Sequence, residues 1–381
     1  DFCLSRGLGD VYKRQSQGSG RIVACGVGTT RRYSHLTQMR LLGDFGKEYS
    51  MEHEWGRRYD FVALEKDTIS SLLQPVFPGR TLDSAEILTS GKCNTNYKIR
   101  VSGLNESFVL RIHVRDRASG ERDLNIFRLV KEQVPVPHIV YTHMRNEPEA
   151  ISYTVMNWVD GILFSDVLAS KDETAIAECS HDIGITLANI GIHTFPRAGS
   201  FGPDLTIIED LEDVSILSYF EHFLFIGQTG QHLGASLTQR LWDFLIDNAS
   251  YFDVLKDARS LVHSDFKGFN ILVCQFNERW KVSAVLDWEF AFAGSPLIDI
   301  GNMLRYSHLH PPVFEKEFLR GYQEQGGVLP PQWKKVAKLV DLLSLCEFLN
   351  APTPRNALLQ EVTGLIIATL DHWEEYGSKR G

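Results

Sequence analysis

The 381-residue sequence predicts an α+β protein of two lobes, a small β-rich one followed by a larger helical one. Three observations carry this expectation. Between Ile87 and Met156, short runs alternate apolar and polar residues with period two, the signature of half-buried strands. From Ile176 onward, apolar residues recur at helical spacing, as in Ile176, Cys179, Ile183, Leu187 and Ile190. Strand patterns return only briefly, at 270–276 and 282–286, inside the helical half.

Element by element, residues 61–75 predict a short helix with Leu64, Ile69, Leu72 and Leu73 on an apolar face, ended by Pro75 and Pro78-Gly79. Ile87-Leu88 leads as a strand into a polar stretch around Gly91. Tyr97, Ile99 and Val101 then alternate with Lys98, Arg100 and Ser102. Phe108, Leu110 and Ile112 alternate with Val109, Arg111 and His113, so the pair reads as a hairpin turning near Gly103-Leu104-Asn105. A helix is expected over 119–131. Val134-Pro135-Val136-Pro137 stops it and begins an extended segment, because proline lacks the amide that a helix needs. Ser152 to Met156 reads as another strand, ending at Asp160-Gly161. Ser170-x-x-Glu173 has the form of a capping box for the long helix that follows. Further helices are expected over 313–325, 332–349 and 357–373.

The net charge of -9 argues against a nucleic-acid partner, which would call for a basic footprint, and leaves a cationic partner open. The six cysteines stand singly with no C-x-x-C pair, so they read as reduced thiols of a cytoplasmic protein and not as a zinc site or disulfide framework. No apolar run approaches the roughly 18 residues that a membrane-spanning helix requires. The first 50 residues differ from the rest: the chain opens on Asp1, and 1–30 is rich in Gly, Ser and Arg. The opening DFCLSRGLGDVYKRQ resembles a translated sequencing-adapter peptide. We expect 1–50 to be a disordered or non-native extension, with Met51 a candidate start.

The chemistry concentrates further on. Residues 261–270 read Leu-Val-His-Ser-Asp-Phe-Lys-Gly-Phe-Asn, which fits the pattern His-x-Asp-x-x-x-x-Asn of a phosphoryl-transfer loop. Seventeen residues after Asn270, Asp287-Trp288-Glu289 follows the apolar run Val282 to Leu286, placing a carboxylate just after a strand. A transferring phosphoryl group is highly anionic, so positioning and charge neutralisation dominate its catalysis. Magnesium prefers oxygen ligands and commonly takes one or two carboxylates plus phosphate oxygens. Asn270 and Asp287 suit that ion. Asp265 would accept or orient the proton of a substrate hydroxyl, and Lys267 would reach the γ-phosphate as a point charge. His263 is expected to be structural. Asp299, in Pro296-Leu297-Ile298-Asp299-Ile300-Gly301, would either cap a helix or, like the matching Asp of kinase-like folds, brace the loop backbone; bracing is the favoured reading.

Over roughly residues 62–375 the chain resembles the aminoglycoside phosphotransferase and choline kinase superfamily, small-molecule relatives of protein kinases. The resemblance is most specific at His263–Asn270 and Asp287–Asn302. Val134-Pro135-Val136-Pro137 and the run from Phe195 to Gly202 add to it. It implies a protein-kinase-like fold with ATP between the lobes, an ATP-binding lobe over 51–157 and a catalytic and acceptor-binding lobe over 158–381. No G-x-G-x-x-G is present, yet Ser90, Gly91 and Asn94 occupy the loop that would cover the phosphates. Arg111 stands where the family's strand lysine or arginine holds the α- and β-phosphates. Glu121 is its expected ion-pair partner, with Glu132 as an alternative. Met156-Asn157-Trp158 resembles the hinge, so Met156 and Trp158 are expected beside adenine.

Asp287-Trp288-Glu289 replaces the Asp-Phe-Gly of protein kinases, and only eleven positions separate Asp287 from Ile298. No activation segment fits there, so a protein substrate is not expected. The expectation is an ATP- and magnesium-dependent phosphotransferase for a small hydroxylated acceptor, cationic or neutral. An antibiotic kinase, a choline, homoserine or sugar kinase and a non-catalytic nucleotide-binding protein remain open. The acidic run Glu209-Asp210 and Glu212-Asp213 would attract a cation, or be a solvated loop. Glu347 shares a helical stripe with Val336, Val340 and Leu343 and would meet a structural arginine or a substrate ammonium. Trp288, Phe290, Phe292, Tyr322 and Trp333 are read mainly as core, with a cation–π box as the other option.

Overall fold

The structure, a computed structural model, describes residues 61–88, 94–113, 119–144, 151–211 and 215–377. The N-terminal lobe opens with helix α1 (Lys66–Leu73), whose Ile69 and Leu73 are buried. Strands β1 (Leu82–Leu88), β2 (Thr95–Val101), β3 (Ser107–Ile112), β4 (Ile139–His143) and β5 (Tyr153–Asn157) form an antiparallel sheet in the order β1-β2-β3-β5-β4. Helix α2 (Ser119–Val130) lies between β3 and β4 in the chain. Period-two alternation gives the sheet two faces. Tyr97, Ile99, Phe108, Leu110, Ile112, Tyr153 and Val155 face one way and form a core with Ile69 and Leu73. In register with one another, Asn96, Arg111 and Thr154 occupy the opposite face.

The second lobe begins with β6 (Ile162–Leu163), α3 (Phe164–Ser170) and α4 (Glu173–Gly191), then β7 (Gly199–Phe201) and β8 (Ile207–Asp210). Helix α5 (Ile216–Glu221) runs into a π-helical turn, His222–Ile226, followed by α6 (Thr229–Leu233) and α7 (Ala235–Asp247). Short strands β9 (Ser260–Val262), β10 (Ile271–Phe276), β11 (Arg279–Val285) and β12 (Phe292–Gly294) carry the loops of interest. They lie in two small sheets, β11-β10-β6 and β8-β7-β12-β9. Helices α8 (Leu297–Met303), α9 (Val313–Glu324), α10 (Trp333–Leu349) and α11 (Asn356–Asp371) complete the lobe. Ile176, Cys179, Ile183, Leu187 and Ile190 of α4 all enter one large core. Ile126, Phe127 and Val130 of α2 join that same core, so α2 ties the sheet lobe to the helical one.

One expectation is corrected here and another refined. The long helix is not capped by Ser170, because Ser170 still belongs to α3 and its Oγ donates to Val167 O. The chain turns through Lys171 in the left-handed region, and Asp172 becomes the N-cap, accepting from the Thr174 and Ala175 amides at 3.0 and 3.1 Å. The helices over 216–247 fall in the stretch expected to be mostly helical but were not assigned individually, since they are short and broken by a π-turn and by Gly227 and Gly234, which blurs any single period. Residues 1–60, including the unusual N-terminal stretch, lie outside the described residues. Among those described, no helix is long and apolar enough to cross a membrane.

Candidate active site

The loop after β9 is shaped by side chains that bond to its backbone. Asp299, in the first turn of α8 and fully buried, accepts the His263 and Ser264 amides, each at 2.8 Å. Asn302, one turn on, donates to Ser264 O at 2.8 Å. These bonds hold Ser264 at φ 69°, a left-handed conformation that a non-glycine residue keeps only when its surroundings enforce it. Bracing is therefore the role of Asp299, whose carboxyl burial pushes up to about 7 against the pull of the two amides.

His263 is structural, as expected. Its Nδ1 accepts from the Asp265 amide at 3.2 Å, so Nε2 carries the proton and donates to Leu286 O at 2.8 Å. Its ring lies 4.7 Å from that of Trp288. Burial lowers its pKa and keeps the imidazole neutral.

This scaffold presents Asp265 with its carboxylate held from two sides. Asn270 Nδ2 donates to Asp265 Oδ2 at 2.7 Å and to its carbonyl at 2.9 Å, and Lys267 Nζ lies 2.9 Å from Asp265 Oδ1. With its nitrogen so engaged, Asn270 is left with Oδ1 as the atom to meet a cation. Asp287 follows β11 and is itself left-handed, at φ 68°. That turn separates its side chain, 36% exposed, from the wholly buried Trp288.

Arg111 approaches from the sheet lobe. Its Nη1 lies 3.6 Å from Asp287 Oδ1 and 3.6 Å from Asp123 Oδ2. The expected partner Glu121 is thus replaced by Asp123. Two residues on a helix lie about 200° apart, so both cannot face Arg111. Asp123 shares the inward stripe of Ile126, Phe127 and Val130, whereas Glu121 is exposed. Glu132, the other candidate, sits near Lys131 on the surface. The sequence contained a readable signal for Asp123: an acid at position i of an apolar i, i+3, i+4, i+7 stripe.

Ser90 and Gly91 lie outside the described residues. Asn94, at the end of that loop, is buried and donates from Nδ2 to Glu289 Oε2 at 3.3 Å. Arg122 Nη2 donates to Glu289 O at 2.8 Å. Glu289, which the sequence reading left without a role, therefore joins the two lobes.

Met156 is buried on β5, between Val109 and Ile139 in register. The amides just beyond it are taken: Asn157 donates to His138 O at 2.9 Å and Trp158 to Ser107 O at 3.0 Å. The Trp158 ring carries Lys98 Nζ 3.8 Å above it, and its Nε1 donates to Asp160. Trp158 thus extends the pairing of β5 with β3 through its backbone. The next amide, that of Val159, makes no hydrogen bond among the described residues.

On the helical side, Glu212 and Asp213 lie outside the described residues, while Asp210 pairs with Arg197 and Glu209 accepts from Ser200. Val336, Val340 and Leu343 are buried along α10, and Glu347 is half-buried at the end of that stripe. Trp288, Phe292 and Tyr322 are core residues.

No curated protein matches the chain by sequence. Solved structures do match by shape. A thermostable mutant of aminoglycoside phosphotransferase APH(4)-Ia, in ternary complex with ADP and hygromycin B, superposes with a TM-score of 0.59 at 18% identity, covering 80% of this chain and 98% of that one. The streptomycin–ATP–APH(2")-IIa complex gives 0.53 at 17% identity, over 81% and 99%. A GDP complex of an aminoglycoside 2'-phosphotransferase-IIIa mutant gives 0.58 at 15% identity, over 82% and 97%. These likenesses establish the two-lobed kinase-like fold. The model of the phosphotransferase enzyme family matches residues 84–339, more than half of the sequence, and the chain belongs to that family.

Proposed function

We propose that this chain transfers the γ-phosphate of Mg-ATP to a hydroxyl of a small molecule. The observation that carries the reading is Asp265, with its carboxylate gripped by Asn270 and Lys267 on a braced loop that faces Asp287 and Arg111. In this reading Asp265 orients the acceptor hydroxyl and takes its proton. The acceptor oxygen forms a bond to the γ-phosphorus, the bond from that phosphorus to the β,γ-bridging oxygen breaks, and ADP leaves. Lys267 and Arg111 offset the charge on the phosphates.

The donor set fits magnesium. Asn270 Oδ1 and the Asp287 carboxylate are hard oxygen donors, and no group of three or more His, Cys, Asp or Glu residues suited to a metal is present among the described residues. An ion held by two side chains would complete its shell with water and phosphate oxygens, the usual arrangement for magnesium bound with a nucleotide. When bound, magnesium supplies charge neutralisation at the phosphates. The Val159 amide is our assigned donor to the base, with Met156 against its face. The division into a nucleotide lobe ending at Asn157 and a catalytic lobe from Trp158 goes with this reading.

The acceptor is a hydroxylated, cationic molecule in the first instance. Support comes from the hygromycin B and streptomycin bound by the two neighbours and from the net charge of -9. The test is an ATP-consumption screen over aminoglycosides, macrolides, amino alcohols and sugars. Acceptor-dependent ADP release, lost in Asp265→Asn, is the expected result. Mg-ATP binding with no transfer to any acceptor overturns it in favour of a nucleotide-binding protein.

A further inference from the structure

The bonds that shape the catalytic loop do not stop at α8. Asn302 can serve Ser264 O only through its NH2 group, so its amide must be turned with Oδ1 pointing away. That Oδ1 accepts from Arg305 Nη2 at 2.9 Å. A guanidinium only donates, so Arg305 dictates which way the Asn302 amide faces. Arg305 is in turn held by Asp341 of α10, through Nε at 2.9 Å and Nη2 at 2.6 Å to the same Oδ1. Arg305 and Asp341 are 3% and 4% exposed, so Asp341 offsets the Arg305 charge out of reach of water, with Lys338, whose Nζ lies 3.4 Å from Arg305 O, as a further cation beside the pair. The placement of Asp341 is not loose. A Cβ on Gly301 of α8 would come within 2.6 Å of Ala337 O, so the two helices touch backbone to backbone one turn before Asp341.

We propose that Arg305 and Asp341 are positioning residues for phosphoryl transfer, acting through Asn302 on the left-handed Ser264 and hence on Asp265. The inference rests on the catalytic reading of Asp265 given above. The relay runs from α10 through Arg305 and Asn302 to the peptide that precedes the catalytic carboxylate. No member of it beyond Asp265 touches the reacting atoms. Its effect is to hold Asp265 in register, where a displacement of about 1 Å costs on the order of 100-fold in rate.

The test replaces the ion pair by apolar residues of similar size, Arg305→Met with Asp341→Leu, an exchange that buried ion pairs commonly tolerate without loss of stability. The expected result is a melting temperature within about 5 °C of wild type, unchanged KM for ATP and kcat lowered at least about tenfold. Asn302→Asp is the second variant. It keeps an acceptor for Arg305 and replaces the donor to Ser264 O by a carboxylate oxygen that repels that carbonyl, and the same fall in kcat at unchanged KM is expected. Combined with the pair variant it should add little, because all three changes break one chain. Hydrogen exchange at the His263 and Ser264 amides is read in parallel and should quicken in both variants. A folded pair variant with wild-type kcat and wild-type exchange overturns the relay. So does a drop in melting temperature with kcat intact, since the pair is then merely structural. Should the pair variant not fold, Asn302→Asp with wild-type kcat and exchange overturns it equally. If wild-type protein transfers phosphate to nothing, the catalytic reading fails, while the exchange measurement still decides whether the relay holds the loop.

Discussion

The floor and the roof of the cleft are built differently. On the floor, Ser264, Asp265 and Asn270 are tied by directed hydrogen bonds of 2.7–2.9 Å, several of them between a side chain and backbone. On the roof, Arg111 Nε donates to Asn96 Oδ1 at 3.2 Å and Arg122 Nη2 to Glu289 O at 2.8 Å, but Arg111 Nη1 sits 3.6 Å from each of two carboxylates, and Asn94 reaches Glu289 at 3.3 Å. Contacts at 3.6 Å between charges attract without fixing an angle. The floor is therefore preorganised by directed bonds, whereas the contacts of Arg111 with Asp123 and Asp287 are a charge balance that a phosphate can redistribute. Floor substitutions should strike kcat and stability; roof substitutions should strike nucleotide affinity.

The sharpest way to break this contrast is Asp265→Asn. Loss of the acceptor for the hydroxyl proton should lower kcat by about 100- to 10,000-fold with little change in KM for ATP, in steady-state ADP release. A comparable rise in KM instead would move Asp265 to the nucleotide side. Asp287→Asn comes next, because Asp287 borders both surfaces. Its half-saturating magnesium concentration should rise at least about tenfold, and excess chelator should abolish transfer by the wild type. Activity that survives full chelation would remove magnesium from the scheme.

A smaller effect separates the two candidate acids on α2. Asp123→Asn leaves Arg111 with one carboxylate in place of two and should change KM for ATP by about three- to tenfold at near-constant kcat. Glu121→Gln, on the exposed face, should stay within about twofold. Equal effects from both would restore Glu121 as the partner. The smallest expected effect concerns pH. His263 is buried and neutral, so its folded pKa lies below the unfolded value of 6.5. As pH falls through 6.5, the unfolded chain binds a proton that the folded chain refuses, and stability is lost. In His263→Asn this loss is absent, so the stability difference should move in the variant's favour by about 1 kcal/mol per pH unit below that point, read by urea unfolding. A difference that is flat with pH would mean that the imidazole is protonated in the fold.

Much of the floor was legible because its chemistry is local in the chain. Asp265, Lys267 and Asn270 fall within six positions, and a loop of that length brings them together with little help from elsewhere. The bracing role of Asp299 came from the likeness to kinase-like folds, where the matching Asp braces this loop, and the two amide bonds to His263 and Ser264 bear it out. The roof was only half legible. The alternation of 108–112 correctly put Arg111 on the face away from the apolar core, but its partner was assigned to Glu121 by order along the chain instead of by helical phase. Met156 and Trp158 were expected beside adenine, yet β3 takes the Trp158 amide through Ser107. Strand pairing decides which backbone donors are spent, and a sequence does not display its pairings.

Sequence alone determined the lobe order, the strand and helix periods, and the identity and spacing of the residues proposed for phosphoryl transfer. These depend on near neighbours and on apolar patterning, which the linear chain records. Tertiary structure decided what holds those residues still: Asp123 beside Arg111, Glu289 beneath Asn94, and the path from Ser264 through Asn302 and Arg305 to Asp341. Each of those contacts except Asn302 with Arg305 joins residues a dozen or more positions apart. They exist because burying a charge or amide demands a partner, and only the packed arrangement of helices and strands settles which partner lies within reach.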